Sequence, residues 1–124
     1  FQFCNYGYGV TDVLIAPLQA GGPPMVVLAS ETGYVYALDA VGNVVARSNL
    51  GESVLELATI DAPGGTELLA GCRDGRVYSL DARLKTVRRF DCGWPVERLA
   101  VCKAAGRASV VAAGGGEVLS LGLR

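Results

Sequence analysis

The apolar residues of this chain fall in short runs separated by glycine, proline and Asx turns, and no run places apolar residues at helical spacing over three turns. The clearest stretch reads as four strands. Val54 to Ile60 is apolar, Glu67 to Cys72 follows the Asp61-Ala-Pro-Gly-Gly65 turn, Arg76 to Asp81 follows Asp74-Gly75, and Thr86 to Asp91 closes the set. Met25-Val-Val-Leu-Ala29 and Leu68-Leu-Ala70 are apolar without alternation, which predicts strands covered on both faces. Almost no helix is expected.

The same pattern recurs. Gly33-Tyr-Val-Tyr-Ala-Leu-Asp39 returns as Gly75-Arg-Val-Tyr-Ser-Leu-Asp81 and, degraded, as Gly116-Glu-Val-Leu-Ser-Leu-Gly122, at steps of 42 and 41 residues. Ala16, Ala58 and Ala100 keep a 42-residue step, as do Gly9, Gly51 and Gly93. That period matches four-stranded propeller blades and not helical repeats of about 33 or 34 residues. The reading is therefore all-β: three four-stranded antiparallel β-propeller repeats spanning about 9–50, 51–92 and 93–124, in one partial domain. Residues 1–8 align with 43–50 and 85–92, the fourth strands of the first two units, and are expected to form a fourth strand that completes another blade. The third unit stops after its third strand. Three blades are too few to close a ring, since propellers have about four to eight. Further blades of a longer protein, or further copies of this chain, are expected to complete it, and the isolated chain is not expected to be a stable monomer. Opening at Phe1 without Met reads as a processed or excised piece.

Composition narrows the classes. With 124 residues and 51% hydrophobic content, the chain can bury roughly two thirds of its unfolded surface. A net charge of −1 gives no footprint for nucleic acid, and the one basic cluster, Arg83, Lys85, Arg88 and Arg89, reads as the solvent face of a strand and its turn. No apolar run reaches the ~18 to 20 residues of a membrane span. Cys4, Cys72, Cys92 and Cys102 lack C-x-x-C spacing and read as reduced thiols, which favours a reducing compartment.

Val27 to Gly42 resembles the repeat of PQQ-like propellers, and Ala58 to Gly71 is similar to the FG-GAP repeat of integrin-alpha-type propellers. Similar blades occur in scaffold subunits of large eukaryotic assemblies. FG-GAP blades often hold calcium in an acidic turn. Here the equivalent turns, Gln19 to Pro24, Asp61 to Thr66 and Lys103 to Arg107, offer only Asp61 and Glu67 as carboxylates, so a plain turn is expected. The tryptophan that docks PQQ-type blades is replaced by Val44-Val-Ala46 and Val87, and the absence of histidine sets the chain apart from WD-repeat blades.

Without histidine, Ser-His-Asp and Cys-His chemistry is impossible within the chain. The Asp39 and Asp81 pair reads as turn caps, Tyr34, Tyr36 and Tyr78 as packing aromatics, and the Ala112-Ala-Gly-Gly-Gly116 string as a turn and not a phosphate cradle. Partner-binding residues are sought in the loops of one propeller face, where Tyr6, Tyr8, Glu31, Arg73, Asp74 and Trp94 are the candidates. The innermost strands supply chiefly Glu56, Glu97 and Arg98 as polar groups. That scarcity favours a non-enzymatic protein-protein interaction scaffold without cofactor or metal, whose partners are proteins or further blades, a homo-oligomer included. The alternative is a small-ligand or glycan-binding propeller, or an accessory domain of a larger enzyme.

Overall fold

The computed structural model describes residues 1–62, 65–104 and 107–121, which form eleven strands and no helix. Blade 1 comprises β1 (Val10–Pro17), β2 (Pro24–Ser30), β3 (Tyr34–Leu38) and β4 (Val44–Asn49). Blade 2 comprises β5 (Val54–Ala62), β6 (Gly65–Cys72), β7 (Arg76–Leu80) and β8 (Thr86–Asp91), and blade 3 comprises β9 (Arg98–Ala104), β10 (Arg107–Gly114) and β11 (Glu117–Leu121). Each blade is a separate antiparallel sheet paired in chain order, a meander in which every strand neighbours the next. The expected turns over Asp61 to Gly65 and Lys103 to Arg107 run through residues outside the described set, as does Gly122 of the third motif copy.

The repeated motif owes its glycine to two demands. Gly33 and Gly75 sit at φ 97° and 89°, which a side chain resists. A Cβ on Gly33 would stand 2.9 Å from the backbone N of Glu52, and one on Gly75 3.0 Å from that of Trp94. Residues 52 and 94 lie on the links to the following blades, so the motif turn is roofed by the next connection. Gly116 has φ 81° but open space around it. The motif ends on a cap: Asp39 Oδ1 accepts the N–H groups of Val41 and Asn43 at 3.0 and 2.9 Å, and Asp81 Oδ1 those of Arg83 and Lys85 at 2.9 and 3.0 Å. These bonds, led by the Asn43 backbone, hold the Asp39 carboxyl below its usual range.

Between motif and cap the side chains build the core, because alternate positions of a middle strand point to opposite faces. Blade 1 sends Val27, Ala29, Val35 and Ala37 toward blade 2, where they meet Leu57, Leu68, Ala70, Tyr78 and Leu80. Blade 2 sends Ile60, Leu69 and Val77 toward blade 3, where they meet Val96, Val110, Ala112 and Leu121. Each blade thus has a forward face and a rear face of different composition, and the blades stack forward to rear. Tyr36 and Tyr78 are buried and packed as expected, with Tyr36 stacked on Tyr34 at 5.6 Å.

Residues 1–9 run without strand pairing, and Tyr6 and Gly7 turn through positive φ. The fourth strand expected over residues 1–8 is one that completes another blade, and in blade 1 the edge of β3 is taken by β4. The segment lies instead on blade 1, where the Phe3 ring is 5.1 Å from Tyr36 and Asn5 Nδ2 donates to Ser30 Oγ at 2.8 Å. The expected inner-strand equivalence is corrected. Ala58 and Ala100 pair with Leu69 and Val111, but Ala16 pairs with Met25, and it is Leu14 that pairs with Val27. The cause is a longer first hairpin: 15 residues separate Val13 from Leu28, against 13 from Leu57 to Ala70 and from Leu99 to Ala112. Likewise Gly7, not Gly9, matches Gly51 and Gly93, with φ values of 84°, 85° and 80° after Asn5, Asn49 and Asp91.

All four cysteines are free thiols. Cys72 is fully buried on the rear face of blade 2, and burial, with Asp74 and Glu52 nearby, pushes its thiol up to about 12. A thiol reagent at pH 8 is expected to label the exposed Cys4 and Cys102 quickly and to reach Cys72 only on unfolding, as read by mass spectrometry in increasing urea. Because the folded thiol stays neutral while that of an unfolded chain ionises near pH 9, the contribution of Cys72 to stability falls as pH rises from about 9 toward 12.

Candidate functional site

The turns β2–β3, β6–β7 and β10–β11 and the links that enter each blade gather at one end of the fold. Backbone bonds tie them: Glu31 N donates to Gly9 O at 3.0 Å and Arg73 N to Ser53 O at 2.9 Å, while Glu97 N donates to Ala113 O at 2.9 Å. In blade 3 a side chain adds to this pattern, Glu97 Oε1 accepting Gly115 N at 3.2 Å. A cleft of about 440 Å³ opens here, lined by Thr11, Leu55, Arg73, Pro95, Glu97 and Arg98.

The six candidate residues divide among three places. Arg73, Asp74 and Trp94 come together. Arg73 lines the cleft and is exposed, whereas Asp74 is engaged by its own turn, its Oδ1 accepting Arg76 N at 3.0 Å and its Oδ2 the Tyr78 hydroxyl at 2.9 Å. Desolvation is the main cause of the raised Tyr78 hydroxyl, so that group stays a donor at neutral pH. Trp94 is half-buried against the core between blades 2 and 3, with its backbone over Gly75. Tyr8 and Glu31 form a second place, where Glu31 Oε2 accepts Gly9 N at 2.9 Å. Tyr6, 85% exposed, lies apart: it shares a shallow groove with Phe3, Tyr36, Val44 and Arg47 on the rear face of blade 1.

Sequence reading left Thr11, Glu97 and Arg98 out of the candidate site. Thr11 donates its hydroxyl to Val54 O, so it is the first residue of the cleft and also a tie between blades 1 and 2. The signal that could have found it is its place at the start of an inner strand, one residue before Asp12, which only the corrected register makes plain. The polar inner-strand residues also bridge blades: Asp12 Oδ2 accepts Leu57 N at 2.8 Å, and Glu56 Oε2 accepts Leu99 N at 3.2 Å. Glu67, expected as a turn carboxylate, accepts the buried Ser79 hydroxyl at 2.8 Å and an Arg88 N–H at 2.7 Å on the forward face of blade 2. Among the described residues no group of three or more His, Cys, Asp or Glu side chains converges to hold a metal ion.

Three meander blades stacked forward to rear, with loops gathered at one end, define an arc of a β-propeller. Solved structures share this fold. BBS1N in complex with ARL6DN, in a mercury-soaked crystal, matches with a TM-score of 0.75 at 14% identity, over 91% of this chain and 36% of that chain. The lead-soaked crystal of the same complex matches with a TM-score of 0.64 at 17% identity, over 99% of this chain and 42% of that chain. The chain thus spans about two fifths of the BBS1N chains it matches. No protein-family model and no curated protein matches the sequence.

Proposed function

We propose that this chain is a blade set of a non-enzymatic β-propeller that serves as a protein-interaction scaffold, with the loop end around Arg73, Asp74 and Trp94 as its partner surface. The observation that carries the reading is the loop end itself: an exposed arginine and a half-buried tryptophan held beside a shallow cleft on rigid sheets, the residue types that anchor protein interfaces. The fold likeness to BBS1N, crystallised in complex with ARL6DN, supports it. Two of the groups that line the cleft are engaged within the chain, Glu97 with Gly115 N and Arg98 with Glu97 O at 2.8 Å, which leaves little for a small ligand to capture. Val27 to Gly42 relates the blades, in our reading, to PQQ-like repeats, and Ala58 to Gly71 relates them to FG-GAP-like repeats.

The test compares affinity capture from source extract by the wild-type chain and by an Arg73→Ala/Trp94→Ala variant. Proteins retained by the first and reduced at least about tenfold on the second, the effect of losing a hot spot of about 1.4 kcal/mol or more, are the expected result. Identical capture by two variants of equal thermal stability would sink the reading.

A further inference from the structure

The two interfaces between blades share a polar device that the corrected register exposes. Asp12 and Glu56 are equivalents, opposite Ala29 and Gly71 on their neighbouring strands. Each reaches forward to the backbone N–H of an inner-strand residue one blade on, Leu57 at 2.8 Å and Leu99 at 3.2 Å, and these two are themselves equivalents, opposite Ala70 and Ala112. An innermost strand has a sheet neighbour on one side only, so such N–H groups have no ladder partner. The preceding blade supplies one as a carboxylate.

The device is incomplete at both ends. On blade 1 the equivalent donor is Val13, opposite Leu28. Its N–H folds back onto the second oxygen of its own Asp12 at 2.8 Å. On blade 3 the position of Asp12 and Glu56 is held by Arg98, opposite Ala113, and this guanidinium turns back toward Glu56 at 4.0 Å. A carboxylate sequence of Asp, Glu and then Arg therefore ends in a donor.

Packing marks the same place. Leu57 is 6% exposed under blade 1, whereas its equivalent Val13 is 55% and the neighbouring Ile15 70% exposed. The outer half of the same rear face is already closed: Tyr36 and Leu38 are buried, with Phe3 over Tyr36. The open region is thus the inner half, the part that inner strands of a neighbouring blade cover at the other two interfaces.

We propose that the inner half of the rear face of blade 1 docks a further blade whose inner strand carries Asp or Glu at the position of Asp12, and that a second copy of this chain is not that blade. The inference rests on the propeller reading above and follows from continuity of the two interfaces already formed. A second copy stacked forward to rear would bring Arg98 to the place where both formed interfaces bring a carboxylate, so the Val13 N–H would gain no acceptor from the added blade and would keep only its own Asp12.

The experiment fuses a copy of residues 51–92 directly to Gly7, replacing residues 1–6, and follows amide hydrogen exchange by NMR. Gly7 is the equivalent of Gly93, so the added blade enters in register and its own Glu56 faces Val13. Exchange at Val13 should slow at least about tenfold relative to the 124-residue chain, as local opening free energy rises on burial. The Glu56→Arg change in the added copy alone, which reproduces the Arg98 situation, should abolish that slowing. Leu57 and Leu99 amides, slow throughout, report the intact fold. Val13 exchange that is unaffected by the added blade, or slowed equally by the Glu56→Arg copy, overturns the proposal. Native mass measurement of the unmodified chain across concentration is the second arm: a closed dimer overturns it whatever the fused protein does. Both arms are independent of partner capture at the loop end, so either reading can fail without the other.

Discussion

Leu80→Ala is expected to lower the stability of the chain by about 2–5 kcal/mol, the range for emptying a fully buried leucine site. Leu80 is fully buried on the rear face of blade 2, in the core shared with Val27, Val35 and Ala37 of blade 1. Its neighbours there sit on two separate sheets, each fixed by its own hydrogen-bond ladder, so neither can relax far into the space left behind. Val118→Ala is the control. Val118 holds the motif position of the fully buried Val77 but is 71% exposed on the forward face of blade 3, and its change should stay within about 0.5 kcal/mol. Urea unfolding of the two variants checks both figures, and equal losses would mean that blade stacking is not what stabilises the arc.

Gly75→Ala should cost more than Gly116→Ala. Both glycines have positive φ, 89° and 81°, and alanine at either pays about 1–2 kcal/mol for the left-handed conformation. At Gly75 the added Cβ also meets the backbone of the link into blade 3, 3.0 Å from Trp94 N and 3.2 Å from Trp94 O. A backbone cannot rotate away as a side chain can, so that link must shift, and Trp94 with it. A further loss of about 1–3 kcal/mol is expected, the range for an overpacked site. Thermal unfolding of both variants measures the difference, and the Trp94 fluorescence maximum should move in Gly75→Ala only.

Those two glycines show how much of the fold was legible beforehand. Local signals carried the strands: the Asp74-Gly75 turn and the apolar run of Leu68 to Ala70 depend on near neighbours in sequence, and β5 to β8 fall where residue types place them. Equivalence along the inner strands was not legible, because Ala16 keeps a 42-residue step by coincidence while the longer first hairpin moves Leu14 into the matching place. Residues 1–8 carry the Asx-x-Gly exit of a fourth strand at Asn5 to Gly7, yet a strand requires an edge to pair with, and edge supply is a property of the assembled sheet. Of the candidate residues, the rule that anchors sit on loops placed Arg73 and Trp94 at the loop end, where they lie together. That Asp74 accepts Arg76 N and the Tyr78 hydroxyl, and Glu31 accepts Gly9 N, was not legible, because those bonds depend on backbone angles and on residues distant in sequence.

The forward-to-rear stacking of unlike faces gives the arc a direction, as a sentence has one. A self-complementary pair of faces would let two arcs meet about a twofold axis and stop, but unlike faces allow only addition in series. Gene duplication of one blade can therefore lengthen the series by a whole unit without redesigning the interfaces already present. Arg98 is the exception, since a duplicate of blade 1 or blade 2 placed after it would find a cation where every earlier junction offers an acid. One residue thus separates an arc that accepts any copy of itself from one that admits only a chosen neighbour.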